Sequence, residues 1–333
     1  MQTHNKIVSA FLNGTIQGIE EIGLIPEHTE TQISHLFLYP KTVYKICKRD
    51  NHFFNEHFRN LADHQTRFDF YKSDFFENNY FSPEVYIALQ SIVINDEKIS
   101  VSNFADDTDD VVIKMNRIDL ANNLSELLHD NVLQETDFRS MGYQQTKAVA
   151  AYPHQPKTAE NYFDIFGRRL NDLKDWMHSA STYISNEHVD EFISKLRNYL
   201  EKHKDYFSGF DAAQYVVSLD NHSDNIFYQT GKMFFLDIYP PKEDWMTVVP
   251  WINMYRPATD ILILSGEKNA EAFMQGCVDF YGELDRSHDL FYFVYSAAIQ
   301  AVSLFNLSKD NKIKFSDAEL YRDFILNSVR KLG

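Results

Sequence analysis

Asp220, Asn225 and Asp237 are the residues of this chain whose types and spacing point most directly to chemistry. They lie in Val216-Val217-Ser218-Leu219-Asp220-Asn221-His222-Ser223-Asp224-Asn225-Ile226-Phe227 and Met233-Phe234-Phe235-Leu236-Asp237. The amide follows the first carboxylate by five residues, and the second carboxylate comes twelve residues later. An amide oxygen and a carboxylate are hard donors of the kind Mg²⁺ takes. A further carboxylate can orient or deprotonate an attacking hydroxyl, and together these are what phosphoryl transfer from a nucleotide requires. Spacing alone is weak, since Asp50/Asn55 and Asp74/Asn79 repeat it. The later set stands out for its apolar lead-in, Tyr215-Val216-Val217, and for the apolar strand that ends in Asp237. Two carboxylates and an amide at strand ends are costly to gather unless a cation sits among them.

A phosphate-gripping cation would complete such a site. Lys45, between Tyr44 and Ile46 in an apolar strand, is either that residue or a lysine that keeps an edge strand soluble. Its carboxylate partner is expected from the helix that follows, where Asp74 and Glu77 are both candidates. His222 could position the loop or serve only as a turn residue. No His-Glu-x-x-His zinc motif occurs, and Asn186-Glu187-His188-Val189-Asp190-Glu191 reads as an acidic helix start. Cys47 reads as a packed strand cysteine.

The elements that must position these residues change character along the chain. Ser34–Tyr39 and Thr42–Cys47 read as two strands joined by a tight turn. A helix with its aromatics over Phe68–Phe81 stops before Ser82-Pro83. Strands follow at Ala88–Ile94 and Ile99–Phe104, turned by Asn95-Asp96-Glu97, and at Val111–Met115 after an acidic loop. This predicts a sheet-rich domain with one helix. After Asn116 the pattern turns helical: Leu120, Leu124, Leu127 and Leu128 share a face, as do Phe192, Leu196, Tyr199, Leu200 and His203 in Val189–Tyr206. One hairpin, turned by Gln229-Thr230-Gly231-Lys232, interrupts the helices, which resume from Trp245 to Leu332. The expected organisation is α+β: residues 1–115 as a sheet-rich nucleotide-binding lobe, and 116–333 as a larger, mostly helical lobe carrying a catalytic hairpin at 215–237.

Composition bounds the function. With 333 residues, 44% of them hydrophobic and including 27 Phe and 19 Tyr, the chain can bury a sizeable core. A formal net charge of −16 argues against a nucleic-acid partner, which needs a Lys/Arg surface. Two cysteines provide no disulfide framework, and the start of the chain shows no signal peptide, so a cytoplasmic location is expected. Leu290–Leu307 carries no charged residue, but Ser296, Gln300, Ser303 and Asn306 interrupt it. It is expected to be a buried helix rather than a membrane span.

These segments together resemble the aminoglycoside phosphotransferase-like branch of the protein-kinase-like fold, over roughly Ile25 to Phe305. Its opening strands end in a Tyr-Lys-Ile pattern, here Tyr44-Lys45-Ile46. Its Ala-Pro-acidic-aliphatic-Tyr corner is Ser82-Pro83-Glu84-Val85-Tyr86, and its Val-Lys-Met-x-Arg crossing is Ile113-Lys114-Met115-Asn116-Arg117. Its catalytic loop, His-Gly-Asp-x-His-x-x-Asn, becomes Ser218-Leu219-Asp220-Asn221-His222-Ser223-Asp224-Asn225. The resemblance implies a bilobal α+β kinase fold and ATP- and Mg²⁺-dependent phosphorylation of a small-molecule hydroxyl. It implies Asp220 as base or hydroxyl-orienting group, Asn225 and Asp237 as Mg²⁺ ligands, and Lys45, paired with Asp74 or Glu77, on the nucleotide phosphates. It also places Met115, Asn116 and Ile118 at a crossing whose backbone can meet adenine.

The chain departs from the pattern in four places. Ser218 and Leu219 replace His and Gly, Asp237 is followed by Ile238-Tyr239-Pro240-Pro241 without a second acidic residue, and no glycine-rich loop precedes Lys45. A catalytically degenerate binding or scaffolding module, and a kinase-fold enzyme that modifies a protein, are therefore the alternatives. Asp244, Glu267, Glu271, Asp279 and Glu283 would suit a cationic acceptor, though charged helix faces ordinarily meet water. Oligomeric state is not legible.

Overall fold

The computed structural model describes residues 2–31, 33–95, 98–153, 160–240, 242–307 and 312–332. The chain divides into two compact units, Met1–Leu120 with Phe235–Lys242, and Ala121–Phe234 with Glu243–Gly333.

The first unit contains α1 (Gln2–Leu12), β1 (Glu27–Glu30), β2 (Ser34–Leu38), β3 (Thr42–Cys47), α2 (His52–His57), α3 (His64–Phe81), β4 (Tyr86–Asn95), β5 (Lys98–Asn103) and β6 (Asp110–Asn116). The strands form one antiparallel sheet in the order β1-β2-β3-β6-β4-β5. All six residues of β3 are buried, so this strand is covered on both faces. Side chains alternate along a strand. Tyr44 and Ile46 join Ile7 and Phe11 of α1, Phe37, Ile92 and Val112 in one core. Phe11 stacks on Phe37 with ring centroids 4.5 Å apart. Lys45 points the other way, toward α3. That helix starts where the Asp63 carboxylate accepts the Thr66 N–H and ends at Ser82, just ahead of Pro83.

The expected strands are present, but the unit holds three helices among the described residues rather than one. In α1 the apolar residues Ile7, Ala10 and Phe11 fall at helical spacing and are buried. That stripe is only one turn long, too little to read as a helix against the polar residues around it. The short α2 depends on its cap, Asn51 accepting the Phe54 N–H. β1 is polar and mostly exposed, so it shows no apolar alternation and is held as an edge strand by pairing with β2. Of the expected Asn95-Asp96-Glu97 turn, Asp96 and Glu97 lie outside the described residues.

The second unit contains α4 (Leu124–His129), α5 (Glu135–Ala151), α6 (Tyr162–Ser179), α7 (Asn186–Lys202), α8 (Lys204–Ser208), β7 (Val216–Val217), β8 (Ile226–Gln229) and β9 (Lys232–Phe235), whose last residue belongs to the first unit. β10 (Thr247–Val248), α9 (Ile252–Ser265), α10 (Glu267–Tyr281), α11 (Asp289–Leu307) and α12 (Lys312–Ser328) complete it. β8 and β9 form the expected hairpin; Thr230 and Gly231, at φ 50° and 79°, make the two-residue turn that matches strand twist. β7 pairs instead with β10.

The apolar face of α7 is Val189, Phe192, Ile193, Leu196 and Leu200, all buried. The expected continuous Val189–Tyr206 helix is broken at His203, where α8 begins. Leu124 and Leu128 are buried on α4, whereas Leu120 lies in a separate 3₁₀ turn and is 63% exposed. α5 and α10 cross backbone to backbone: a Cβ on Gly276 would sit 1.9 Å from the Arg139 carbonyl oxygen, and one on Gly142 2.0 Å from that of Phe273. α11 is a core helix, with Phe291, Tyr292, Val294, Ala297, Ala298 and Ala301 buried. No helix among the described residues is long and apolar enough to cross a membrane.

Candidate functional site

Within the first unit the structure gathers Lys45, Asp74 and Asp237. Lys45 Nζ donates to Asp74 Oδ2 at 3.0 Å and to Asp237 Oδ1. Asp74, not distinguishable from Glu77 by sequence, carries the ion pair; Glu77 is also buried, one turn further along α3. Lys45 and Asp74 are both about as buried as side chains become, whereas Asp237 is 40% exposed. Burial opposes the charge on Lys45, but Asp237 and Asp74 together outweigh it and hold its pKa above the ordinary lysine value. Burial likewise pushes the Asp74 carboxyl up, to about 6; Lys45 pulls against this and Asp237 adds to it. The two carboxylates thus account for the direction at Lys45, and burial for the direction at Asp74.

Asp237 is held in an unusual conformation. Its φ is 52°, a left-handed backbone that costs a non-glycine residue on the order of 1 kcal/mol. The segment is fixed by three hydrogen bonds donated from its backbone. Phe235 N–H binds Ser82 Oγ at 2.8 Å, Asp237 N–H binds Tyr86 Oη at 3.0 Å, and Ile238 N–H binds Asn78 Oδ1 at 3.2 Å. Tyr86 Oη in turn donates to Asp237 Oδ1 at 3.2 Å. Burial keeps this phenol protonated, its pKa well above the usual value, as donation requires. Asn78 Nδ2 also donates to Asp74 Oδ1 at 2.8 Å, so α3 orients both carboxylates.

Met115 is buried in β6, between Val43 of β3 and Tyr86 of β4. Beyond it, the Asn116 N–H donates to the Val85 carbonyl and the Arg117 N–H to that of Lys41, each at 2.8 Å. The Asn116 side chain donates to the Glu84 carbonyl at 2.6 Å. The amides at 116 and 117 are thus engaged inside the unit, and Ile118 follows half-buried.

Asp220 and Asn225 lie in the second unit, at the two ends of one loop. Asn225 Nδ2 donates to the Asp220 carbonyl oxygen at 2.8 Å, which closes the loop and makes the amide oxygen the atom of this side chain suited to a cation. One face of α9 clamps the loop. Asn253 Nδ2 donates to Val217 O at 2.8 Å and its Oδ1 accepts from Leu219 N–H at 2.9 Å. Arg256 Nη2 donates to Asp220 Oδ1 at 2.5 Å. Asp260 Oδ2 accepts the Ser223 N–H at 2.6 Å, and its Oδ1 accepts the Tyr321 hydroxyl. Burial raises the Asp260 pKa, while His222, Tyr321 and Ser223 act against it.

Asn253, Arg256 and Asp260 escaped the sequence reading. Their signal was present: positions i, i+3 and i+7 share a helix face, and these are polar in a helix otherwise rich in buried apolar residues. Leu219, where a glycine was expected to matter, is buried with no left-handed backbone, so its side chain is accommodated. His222 Nδ1 sits 3.8 Å from Asp224 Oδ2 within the loop and 3.4 Å from Gln300 Nε2 of α11. Of the acidic residues read as possible acceptor contacts, Glu271 and Asp279 hold Arg286 and Arg139.

No protein-family model and no curated protein matches the sequence. Solved structures do match. The GDP and kanamycin complex of APH(2")-IIia is 12% identical with a TM-score of 0.52, over 98% of this chain and 99% of that one. The GDP complex of wild-type aminoglycoside 2'-phosphotransferase-IIIa is 13% identical at 0.51, over 98% of each. The fold is that of the aminoglycoside phosphotransferases. A thermostable mutant of aminoglycoside phosphotransferase APH(4)-Ia in its apo form matches at 14% identity and 0.50, over 92% of this chain and 94% of that one. The kinase-like fold expected from the Tyr-Lys-Ile and Ser-Pro-Glu-Val-Tyr segments is therefore present, with the antiparallel sheet first and the helices after it.

Proposed function

We propose that this chain is an ATP- and Mg²⁺-dependent phosphotransferase acting on a hydroxyl group of a small molecule. The observation that carries the reading is the buried Lys45–Asp74 pair with Asp237 beside it. A lysine clamped between a buried carboxylate and a half-exposed one is costly as packing alone. It suits a residue that must present a fixed positive charge to phosphate oxygens. The fold supports the same conclusion, since solved structures sharing it are aminoglycoside phosphotransferases.

In this reading Asp220 orients or deprotonates the acceptor hydroxyl, held in place by Arg256. Asn225 and Asp237 supply oxygen donors of the hard type that Mg²⁺ takes. When bound, the ion would neutralise phosphate charge. Asp237 suits the role because it is rigidly held yet reaches solvent. Met115, Asn116 and Ile118 border the adenine position, and the acceptor is a small molecule. Positioning and fixed charge, rather than covalent chemistry, carry the rate.

Thermal unfolding with ATP and Mg²⁺ tests the binding half. Nucleotide at a hundredfold excess over its dissociation constant should stabilise the fold by about 2.7 kcal/mol, and Asp237→Asn should remove the Mg²⁺-dependent part. No shift at millimolar nucleotide would refute the proposal. A second reading, a nucleotide-binding module without turnover, draws on the arginine already seated on Asp220. It calls for the same stabilisation with no ADP released in the presence of any acceptor.

A further inference from the structure

The hairpin of β1 and β2 brings His28, Glu30 and His35 onto one face. In the antiparallel register Glu30 stands opposite His35, and His28 stands opposite Phe37. Residues two apart on a strand share a face, and directly paired residues share it too. All three side chains therefore converge without any special backbone. His28 Nε2 and His35 Nδ1 are 3.2 Å apart, and Glu30 Oε1 lies 3.5 Å from His35 Nδ1 and 3.9 Å from His28 Nε2. A zinc ion at about 2.0–2.1 Å from each atom, with tetrahedral angles, sets its ligands roughly 3.3 Å apart. The triangle is already near that size.

The surroundings orient these groups. Lys48 Nζ binds Glu30 Oε2 at 2.7 Å and the Thr31 carbonyl at 2.8 Å, which turns the other carboxylate oxygen toward the imidazoles. The His28 ring stacks on Phe37 at 5.2 Å. On the α1 side, His4 is 6% exposed, its ring is 5.3 Å from that of His35, and neither of its nitrogens has a hydrogen-bond partner. A buried imidazole without a partner is unusual.

We propose that His28, Glu30 and His35 form a binding site for a transition-metal dication of the Zn²⁺ class, fastening β1 to β2. Two imidazoles and one carboxylate are a donor set that zinc accepts, and solvent can complete the shell. Among the described residues this is the one cluster with such ligand geometry. No zinc motif announces it in the sequence, because the ligands meet only across a hairpin whose first strand has no apolar pattern.

The test uses the full chain, free of any histidine tag and stripped of metal with a chelator, titrated with Zn²⁺ by calorimetry and with Co²⁺ by visible absorption. One ion per chain is expected, with the intense absorption of low-symmetry, four-coordinate Co²⁺. His28→Ala and His35→Ala should each weaken Zn²⁺ binding at least about 10-fold, a loss that outer-shell changes alone can reach. Glu30→Gln, at a half-exposed position, should do the same, while His188→Ala should bind as the parent does. Absence of stoichiometric binding at micromolar Zn²⁺, or parent-like affinity in the Glu30→Gln variant, would overturn the proposal.

Discussion

Replacing Lys45 with Met removes the one cation shared by Asp74 and Asp237 while nearly preserving its volume. Asp74 then stays fully buried, with Asn78 and without a charge partner. In the parent its pKa stands at about 6 against an ordinary value of 3.8. A carboxyl raised in this way stabilises the fold fully below about pH 4, and that contribution is lost as the pH rises through about 6. Without Lys45 the only strong opposing charge is gone, so the folded pKa climbs further and the loss moves to higher pH. Between about pH 6 and this higher value the variant carries one proton more than the parent when folded. Its deficit in stability therefore grows by about 1.4 kcal/mol per pH unit. Near pH 5.5 the deficit should be on the order of 1 kcal/mol, from the loss of the half-exposed Asp237 pair. By pH 8 it should reach about 3–5 kcal/mol, the usual result of stranding a buried charge. Urea unfolding of both proteins at three pH values, with equal m-values, measures it. A deficit that is constant with pH, or that shrinks as pH rises, would refute the reasoning.

Four further outcomes follow from the second unit. Asp260→Ala leaves the Ser223 N–H and the buried Tyr321 hydroxyl without their acceptor; unfolding should show a loss of about 2–4 kcal/mol, and a change under 1 kcal/mol would count against the clamp. Gly276→Ala forces α5 and α10 apart and should cost at least about 1–3 kcal/mol. Gly167→Ala in α6, where an added Cβ meets nothing within 4 Å, should instead stabilise by about 0.5–1 kcal/mol, and equal effects at the two positions would contradict the packing described. Arg256→Ala should lower kcat about 10–100-fold by loosening Asp220, with the KM for ATP unchanged. A shift in KM alone would assign Arg256 to binding.

The strands of the first unit were legible because apolar alternation and turn residues mark them. α1, α2 and β1 were not: their stability comes from the sheet they cover or extend, not from their own patterns. The same distinction runs through the sites. Lys45 was legible as a lone lysine in an apolar strand. Its partner was not, since Asp74 and Glu77 lie one turn apart and the spacing of apolar residues does not fix the rotation of α3 that finely. Tyr86 and Asn78, which hold Asp237, come from separate elements whose approach no local spacing encodes. The face of α9 was within reach of a periodicity argument, but the eye passes over a polar stripe inside an apolar helix. Leu219 shows the converse, a departure from an expected motif that the buried side chain absorbs without strain.

Release of ADP by the parent and by Asp220→Asn, with ATP, Mg²⁺ and a panel of hydroxylated small molecules, tests phosphoryl transfer most directly. Acceptor-dependent release is expected from the parent, with a fall of about 10²–10⁴-fold in the variant and ATP affinity unchanged within a few-fold. Turnover by Asp220→Asn equal to that of the parent would contradict the role given to this carboxylate and, with it, the proposed function.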